Sequence, residues 1–269
     1  MNWAYCMARS GVATLMLLDV AAQSAHAVGM QPNMLPIRVI LVGDSTIAPQ
    51  TGYGDALCRR FQENVTCLNL AKGGRSSASY RAEGSWEQVT KLLADGGQYR
   101  ATYVLIQFGH NDQPGKPGRS TDLVTGFTPN MARYAQEVKS LHGIPVLVTP
   151  LSRRSFKQNV LQNDLQPWAE AVRKVSVAEQ VPLLDLNADS SAALEAMGAT
   201  EADTLAMAPP TAEESQGVDG TSQKPKGSNY RGFDRTHLGA KGAAYFAHMV
   251  ERELIVAIPA VASELTPEN

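Results

Sequence analysis

The sequence predicts an α/β fold in which a parallel sheet lies between two layers of helices. Three observations lead there. Short, unbroken, β-branched runs recur, beginning with Ile37-Arg38-Val39-Ile40-Leu41-Val42, and such runs read as strands buried on both faces. Segments with helical spacing of apolar residues alternate with them, which implies parallel strands joined by crossovers. The residues suited to chemistry fall where strands give way to loops, the edge at which open α/β sheets hold ligands.

The first strand, 37–42, ends in Gly43-Asp44-Ser45-Thr46, where a glycine permits a sharp turn and small polar side chains follow. Thr51-Gly52-Tyr53-Gly54 then opens a helix over 55–63. Residues 65–70 form the second strand, which runs into the glycine-rich turn Lys72-Gly73-Gly74-Arg75-Ser76-Ser77. Ser85 caps a helix whose Trp86, Val89, Leu92 and Leu93 share one face, and Asp95-Gly96-Gly97 stops it. The third strand, 102–108, ends in Gly109-His110-Asn111-Asp112. Residues 114–126 are polar and rich in Gly and Pro, a loop near the site. Pro129 starts a helix to about His142, closed by Gly143. The fourth strand covers 145–150, and a polar loop with Arg153 and Arg154 leads to a long helix over 165–179. Residues 181–186 read as a fifth strand, with Pro182 marking a sheet edge. A helix near 190–197 follows. From 207 to 229 the composition shifts to Pro, Gly, Ser, Thr and charge, a polar loop or insertion within one domain, because a single further helix (240–254) follows. No internal repeat is visible.

At 269 residues, 43% hydrophobic and 19% charged, the chain can hold one α/β domain with a large core. A net charge of −2 gives no basis for a nucleic acid or an anionic membrane as partner. Arg9, the apolar stretch Gly11 to Ala22 and Ala25-His26-Ala27 have the pattern of an export signal, with Asp19 an atypical member. The stretch is too short and interrupted to span a bilayer. Residues 1–27 are therefore expected to be removed, leaving a periplasmic or secreted chain of 28–269. Cys6 would leave with them. Cys58 and Cys67 remain, an even pair on adjacent elements of an exported protein and so a candidate disulfide; two buried free thiols are the alternative. Their spacing does not suit zinc, no His-Glu-x-x-His occurs, and no metal or cofactor is implied.

Acyl transfer requires a nucleophile, a base with its orienter, and donors for the oxyanion. Ser45 offers the hydroxyl, His237 can take its proton, and Asp234, three residues earlier, can reach the other ring nitrogen. The backbone N–H groups of Ser45 and Gly74, with the side-chain amide of Asn111, would make a three-donor oxyanion hole. Taken singly, each residue has a plainer role. Ser45 caps a helix, Asn111 and Asp112 close a turn, Gly73-Gly74 is a positive-φ turn, and Asp234 is an N-cap with an incidental histidine. His110 reads as structural, holding its loop by hydrogen bonds. Lys72, Arg75, Arg81, Arg153, Arg154 and Arg235 either meet a substrate carboxylate or are solvated surface; Arg75 and Arg235 are the substrate-binding candidates.

Gly43-Asp44-Ser45, Gly74, Gly109-His110-Asn111-Asp112 and Asp234-x-x-His237 resemble, in order, the four blocks of the SGNH (GDSL-type) hydrolases, across roughly 37–249. More narrowly, Gly43-Asp44-Ser45-Thr46, Gly74-Arg75-Ser76 with Ser79-Tyr80, and Phe108-Gly109-His110-Asn111-Asp112 resemble the rhamnogalacturonan acetylesterase branch. The resemblance implies a flavodoxin-like, three-layer α/β/α fold on a five-stranded parallel sheet. It also implies Ser45, Asp234 and His237 as triad, with Ser45, Gly74 and Asn111 as oxyanion hole. The substrate it implies is an acetylated oligo- or polysaccharide of pectic type. The absence of Gly-x-Ser-x-Gly disfavours an ordinary α/β-hydrolase. The long polar stretch before Asp234 departs from the family pattern and bears on substrate range. A broader short-chain carboxylesterase or thioesterase, and an inactive carbohydrate-binding scaffold, are the other readings.

Overall fold

The computed structural model describes residues 35–208 and 233–267. The expected export segment 1–27, and all of 207–229 beyond its first two residues, lie outside them.

Strand β1 (Ile37–Gly43) is buried along its whole length. It pairs in parallel with β2 (Thr66–Asn69) on one side, Arg38 opposite Thr66, and with β3 (Ala101–Gln107) on the other, Ile37 opposite Ala101 and Gly43 opposite Gln107. Beyond β3 lie β4 (Ile144–Val148) and the two-residue edge strand β7 (Leu183–Leu184), all parallel, so the sheet order is β2-β1-β3-β4-β7. This is the five-stranded parallel sheet the sequence predicts.

Alternation along β1 separates two cores. Ile37, Val39 and Leu41 pack with α1 (Gly54–Cys58), α6 (Leu186–Asp203) and the last long helix, α7 (Ala240–Ala257), through Leu57, Leu194, Phe246, Val250 and Leu254. Ile40 and Val42 pack with α2 (Ser79–Ala82), α3 (Ser85–Ala94), α4 (Thr128–Ser140) and α5 (Gln166–Glu179), through Tyr80, Trp86, Val89, Tyr134, Val138, Trp168 and Val172. Helices therefore cover both faces, as a parallel sheet demands.

Several boundaries differ from the pattern-based ones for identifiable reasons. The helix expected over 55–63 stops at Cys58, which is joined to Cys67 by a disulfide with Cα atoms 5.4 Å apart. The fifth strand shrinks to Leu183–Leu184 because Pro182 has no N–H to give; its carbonyl accepts from the Leu147 N–H at 2.9 Å. Helix α6 runs longer than 190–197, across a kink at Gly198. The loop at 114–126 ends in a π-helical turn, Leu123–Phe127, whose first N–H groups are held by Asp122. A small hairpin, β5 (Phe156–Lys157) with β6 (Val160–Leu161), is an addition. Its two-residue loop puts Gln158 and Asn159 at positive φ, the conformation two-residue hairpin turns need but normally fill with glycine.

The chain leaves β1 for β2 on one side and then crosses to β3 on the other. The crevice between the carboxyl ends of β1 and β3 is thus the topological switch point, where ligands bind in open α/β sheets. Ser45 follows β1 and Asn111 follows β3.

Candidate active site

The turn after β1 is built around the buried carboxylate of Asp44. Its Oδ1 accepts from the Thr46 N–H at 2.9 Å and the Thr46 hydroxyl at 2.8 Å, and its backbone carbonyl accepts from the Ile47 and Ala48 N–H groups. The Asp44 Oδ2 lies 3.2 Å from His110 Nδ1. Burial pushes the Asp44 carboxyl up, but His110 and the two Thr46 bonds outweigh it and hold the carboxyl below its ordinary range. A buried polar chain continues beneath: Gln107 Nε2 donates to Thr46 Oγ1 at 2.6 Å, and Tyr53 OH donates to Gln107 Oε1 at 2.9 Å. Gly43 is required here, because a Cβ would fall 2.6 Å from the Gln107 carbonyl.

This frame fixes Ser45 while leaving its reactive atoms unused. Among the described residues, neither its N–H nor its Oγ has a hydrogen-bond partner. The glycine-rich turn lies against it: a Cβ built on Gly73 would be 3.8 Å from Ser45 Cβ. Gly74, at φ +77°, also has an N–H without an acceptor among the described residues.

Asn111 closes the group. Its Nδ2 donates to the Arg75 carbonyl at 3.1 Å, while Arg119 Nη1 stands 3.4 Å from its Oδ1. Arginine can only donate, so the amide orientation is settled and one Nδ2 hydrogen remains for a ligand. Asp112 ties the loops together from below, accepting from the Ser77 N–H and hydroxyl and from the Thr121 hydroxyl. Burial dominates over these bonds and lifts its carboxyl to about 6.

The 234–237 turn supplies the remaining groups. Asp234 Oδ2 is 2.7 Å from His237 Nδ1, and its Oδ1 accepts from the Thr236 and His237 N–H groups. Burial works to raise the Asp234 carboxyl, but the bonds from His237 and Thr236 hold it below the usual aspartate range. An ionised carboxylate on Nδ1 selects the tautomer with Nε2 as base, and Nε2 has no partner among the described residues. The turn is tied to the nucleophile through Thr51, whose carbonyl accepts from the Leu238 N–H at 2.9 Å and whose hydroxyl donates to the Ser45 carbonyl at 2.7 Å. No direct Ser45–His237 hydrogen bond is made.

The arginines are mostly engaged elsewhere. Arg75 pairs with Glu83, and Arg235 with the buried carboxylate of Asp203. Arg81 pairs with Glu137, and Arg153 with Asp164. Arg154 is fully buried. Lys72 is exposed and makes no ion pair among the described residues. Thr51, Gln107 and Arg119 were not legible as site residues, and Arg154, read as a substrate contact or solvated surface, is instead buried against the 234–237 turn. Their partners are backbone carbonyls, amides and one hydroxyl, which leave no spacing pattern in the sequence. Among the described residues no three His, Cys, Asp or Glu side chains are grouped to hold a metal ion, and no helix is long and apolar enough to cross a membrane.

Two relatives from Bacillus subtilis (strain 168) match most of the chain. The rhamnogalacturonan acetylesterase RhgT is 32% identical over 80% of this chain and 88% of its own length. The probable rhamnogalacturonan acetylesterase YesY is 27% identical over 80% and 91%. Among solved structures, protein YxiM of Bacillus subtilis superposes with a TM-score of 0.61 at 21% identity, covering 84% of this chain but only 58% of that one. Axe2, an acetylxylan esterase from Geobacillus stearothermophilus, gives 0.55 at 16% identity, covering 81% and 93%. These two likenesses are of fold. The model of the GDSL-like lipase/acylhydrolase family matches residues 41–245, so the chain belongs to that family and is a carboxylic ester hydrolase.

Proposed function

We propose that the protein is an exported serine acetylesterase that removes acetyl groups from plant cell-wall polysaccharide of the rhamnogalacturonan type. The observation that carries the chemistry is the Asp234–His237 contact at 2.7 Å, tethered through Thr51 to a serine whose hydroxyl is unengaged among the described residues. The substrate class rests on the two relatives named as rhamnogalacturonan acetylesterases, matched along most of their lengths. Export rests on the pattern of residues 1–27.

Substrate binding brings Ser45 Oγ into hydrogen-bond reach of His237 Nε2, a contact commonly open in unliganded enzymes. Oγ attacks the acetyl carbonyl as its proton passes to Nε2. The oxyanion is held by the N–H groups of Ser45 and Gly74 and the Asn111 amide. The carbonyl reforms, the bond to the sugar oxygen breaks, and His237 protonates that oxygen. Water then attacks the acetyl-serine, giving its proton to His237, and acetate leaves as Ser45 regains a proton. Ser45→Ala, shown to be folded, should abolish hydrolysis of p-nitrophenyl acetate; undiminished turnover would remove Ser45 from the mechanism.

A second reading, a broader short-chain carboxylesterase, needs room for a longer acyl chain beside the site. A cleft of about 400 Å³, lined by Gln50, Gly52, Asp55, Met207, Leu238 and Ala243, opens beside the residue that follows His237. No member of the proposed triad lines it. A series of p-nitrophenyl esters decides: a steep fall beyond acetate supports the acetylesterase, a maximum at longer acyl chains the broader enzyme.

A further inference from the structure

The turn that carries Asp234 and His237 has no internal backbone hydrogen bond. The N–H groups of Thr236 and His237 both go to the Asp234 side chain, and that of Leu238 goes to Thr51. Its carbonyls are taken up from outside, by one residue. Arg154 Nη2 donates to the Asp234 carbonyl at 3.1 Å and the His237 carbonyl at 2.7 Å, Nη1 reaches the Thr236 carbonyl at 3.5 Å, and the Arg154 backbone N–H donates to the Arg235 carbonyl at 3.0 Å. All four carbonyls of 234–237 therefore rest on Arg154.

The side chain is fully buried and makes no ion pair among the described residues, and its Nε has no partner. Burial pulls the guanidinium down to about 10, so it remains charged at neutral pH. Burying a cation is costly, and the carbonyls it satisfies together with the attraction of the Asp234 and Asp203 carboxylates offset that cost. What the planar fork supplies is geometry. One nitrogen bonded to the carbonyls of residues 234 and 237 sets the spacing of the turn, and the same spacing puts Asp234 Oδ2 2.7 Å from His237 Nδ1.

We propose that Arg154 is a positioning residue, which holds the Asp234–His237 pair in its reactive arrangement through the backbone carbonyls of the turn. This rests on the reading of Ser45, His237 and Asp234 as the triad.

Arg154→Met and Arg154→Lys test it, with Ser45→Ala and His237→Ala measured alongside. The methionine variant should lose about 100-fold in kcat with KM within about twofold, because misaligned reacting groups depress turnover more than binding. The downfield proton resonance of the His237 imidazole should be lost with it. The lysine variant, which can still reach a carbonyl, should recover about a tenth of the wild-type kcat and the resonance. Wild-type kcat in a folded methionine variant overturns the proposal. If that variant does not fold, the lysine variant decides: reduced kcat at unchanged KM supports the proposal, and wild-type kinetics overturns it. Failure of both to fold assigns Arg154 to stability and also overturns it. Turnover surviving in Ser45→Ala or His237→Ala sinks the triad reading itself, whereas loss there beside an unimpaired Arg154→Met sinks this inference alone.

Discussion

The hydroxyl of Thr51 donates to the backbone carbonyl of Ser45 at 2.7 Å. Through its own carbonyl the same residue accepts the N–H of Leu238. A threonine that touches neither reacting side chain thus sets the distance between the loop of the nucleophile and the loop of the base. Thr51→Val keeps the shape and the backbone bond and removes only the hydroxyl. It should lower kcat about tenfold with little change in KM, as small misplacements of reacting groups do, while Thr51→Ser stays near wild type. Steady-state kinetics on an acetyl ester, beside thermal melts, checks both.

Asn111→Ala removes the oriented amide and should reduce kcat by about 10²–10³ with KM nearly unchanged. Gly74→Ala acts on the same hole through the backbone. Its φ of +77° is strained for alanine, and the new Cβ would stand 3.3 Å from Arg119 Nη1. A loss of roughly 1–2 kcal/mol in stability should accompany its loss of activity. Pairing kinetics with urea unfolding separates the two variants.

Asp112 gives stability a pH dependence with a definite sign. Its carboxyl titrates near 6 in the folded chain and near the ordinary aspartate value of about 3.9 when unfolded. Between those values folding takes up a proton, so this residue's contribution diminishes as pH rises through the window and is constant above it. Asp112→Asn has no such proton. Urea unfolding of both proteins at pH 4, 5, 6 and 7 should show wild type losing ground to the variant up to about 6, then no further change.

The bond between Cys58 and Cys67 joins the end of α1 to β2 across a sequence separation of 9. Replacing both cysteines with alanine should lower stability by about 2–3 kcal/mol, the loop-closure expectation for so short a loop. The midpoint of urea unfolding checks it, and added reductant should shift wild type but leave the variant unmoved.

The sheet was legible because its three central strands, β1, β3 and β4, are short β-branched runs, and such runs leave few alternatives to a buried strand. The site blocks were legible because each lies within a few residues of sequence, as Asp234 and His237 do. Long-range pairings were not. Arg75 and Arg235 look alike on paper, yet Arg75 closes on Glu83 eight residues away and Arg235 on Asp203 thirty-two residues away. Nothing in composition marks Arg154 as a clamp, because a carbonyl has no residue type. The β5–β6 hairpin escaped for a related reason: Gln158-Asn159 lacks the glycine that normally announces such a turn.

Ala206 and Leu238 form an antiparallel bridge, and the Gly239 N–H donates to the Leu205 carbonyl at 3.0 Å. The chain that departs after α6 therefore comes back to its point of departure immediately beyond His237. Whatever residues intervene, they begin and end at one stitched seam. Lengthening such an excursion carries an entropy penalty that grows only with the logarithm of its size. The seam thus uncouples the placing of the imidazole from the length of chain between Ala206 and Leu238.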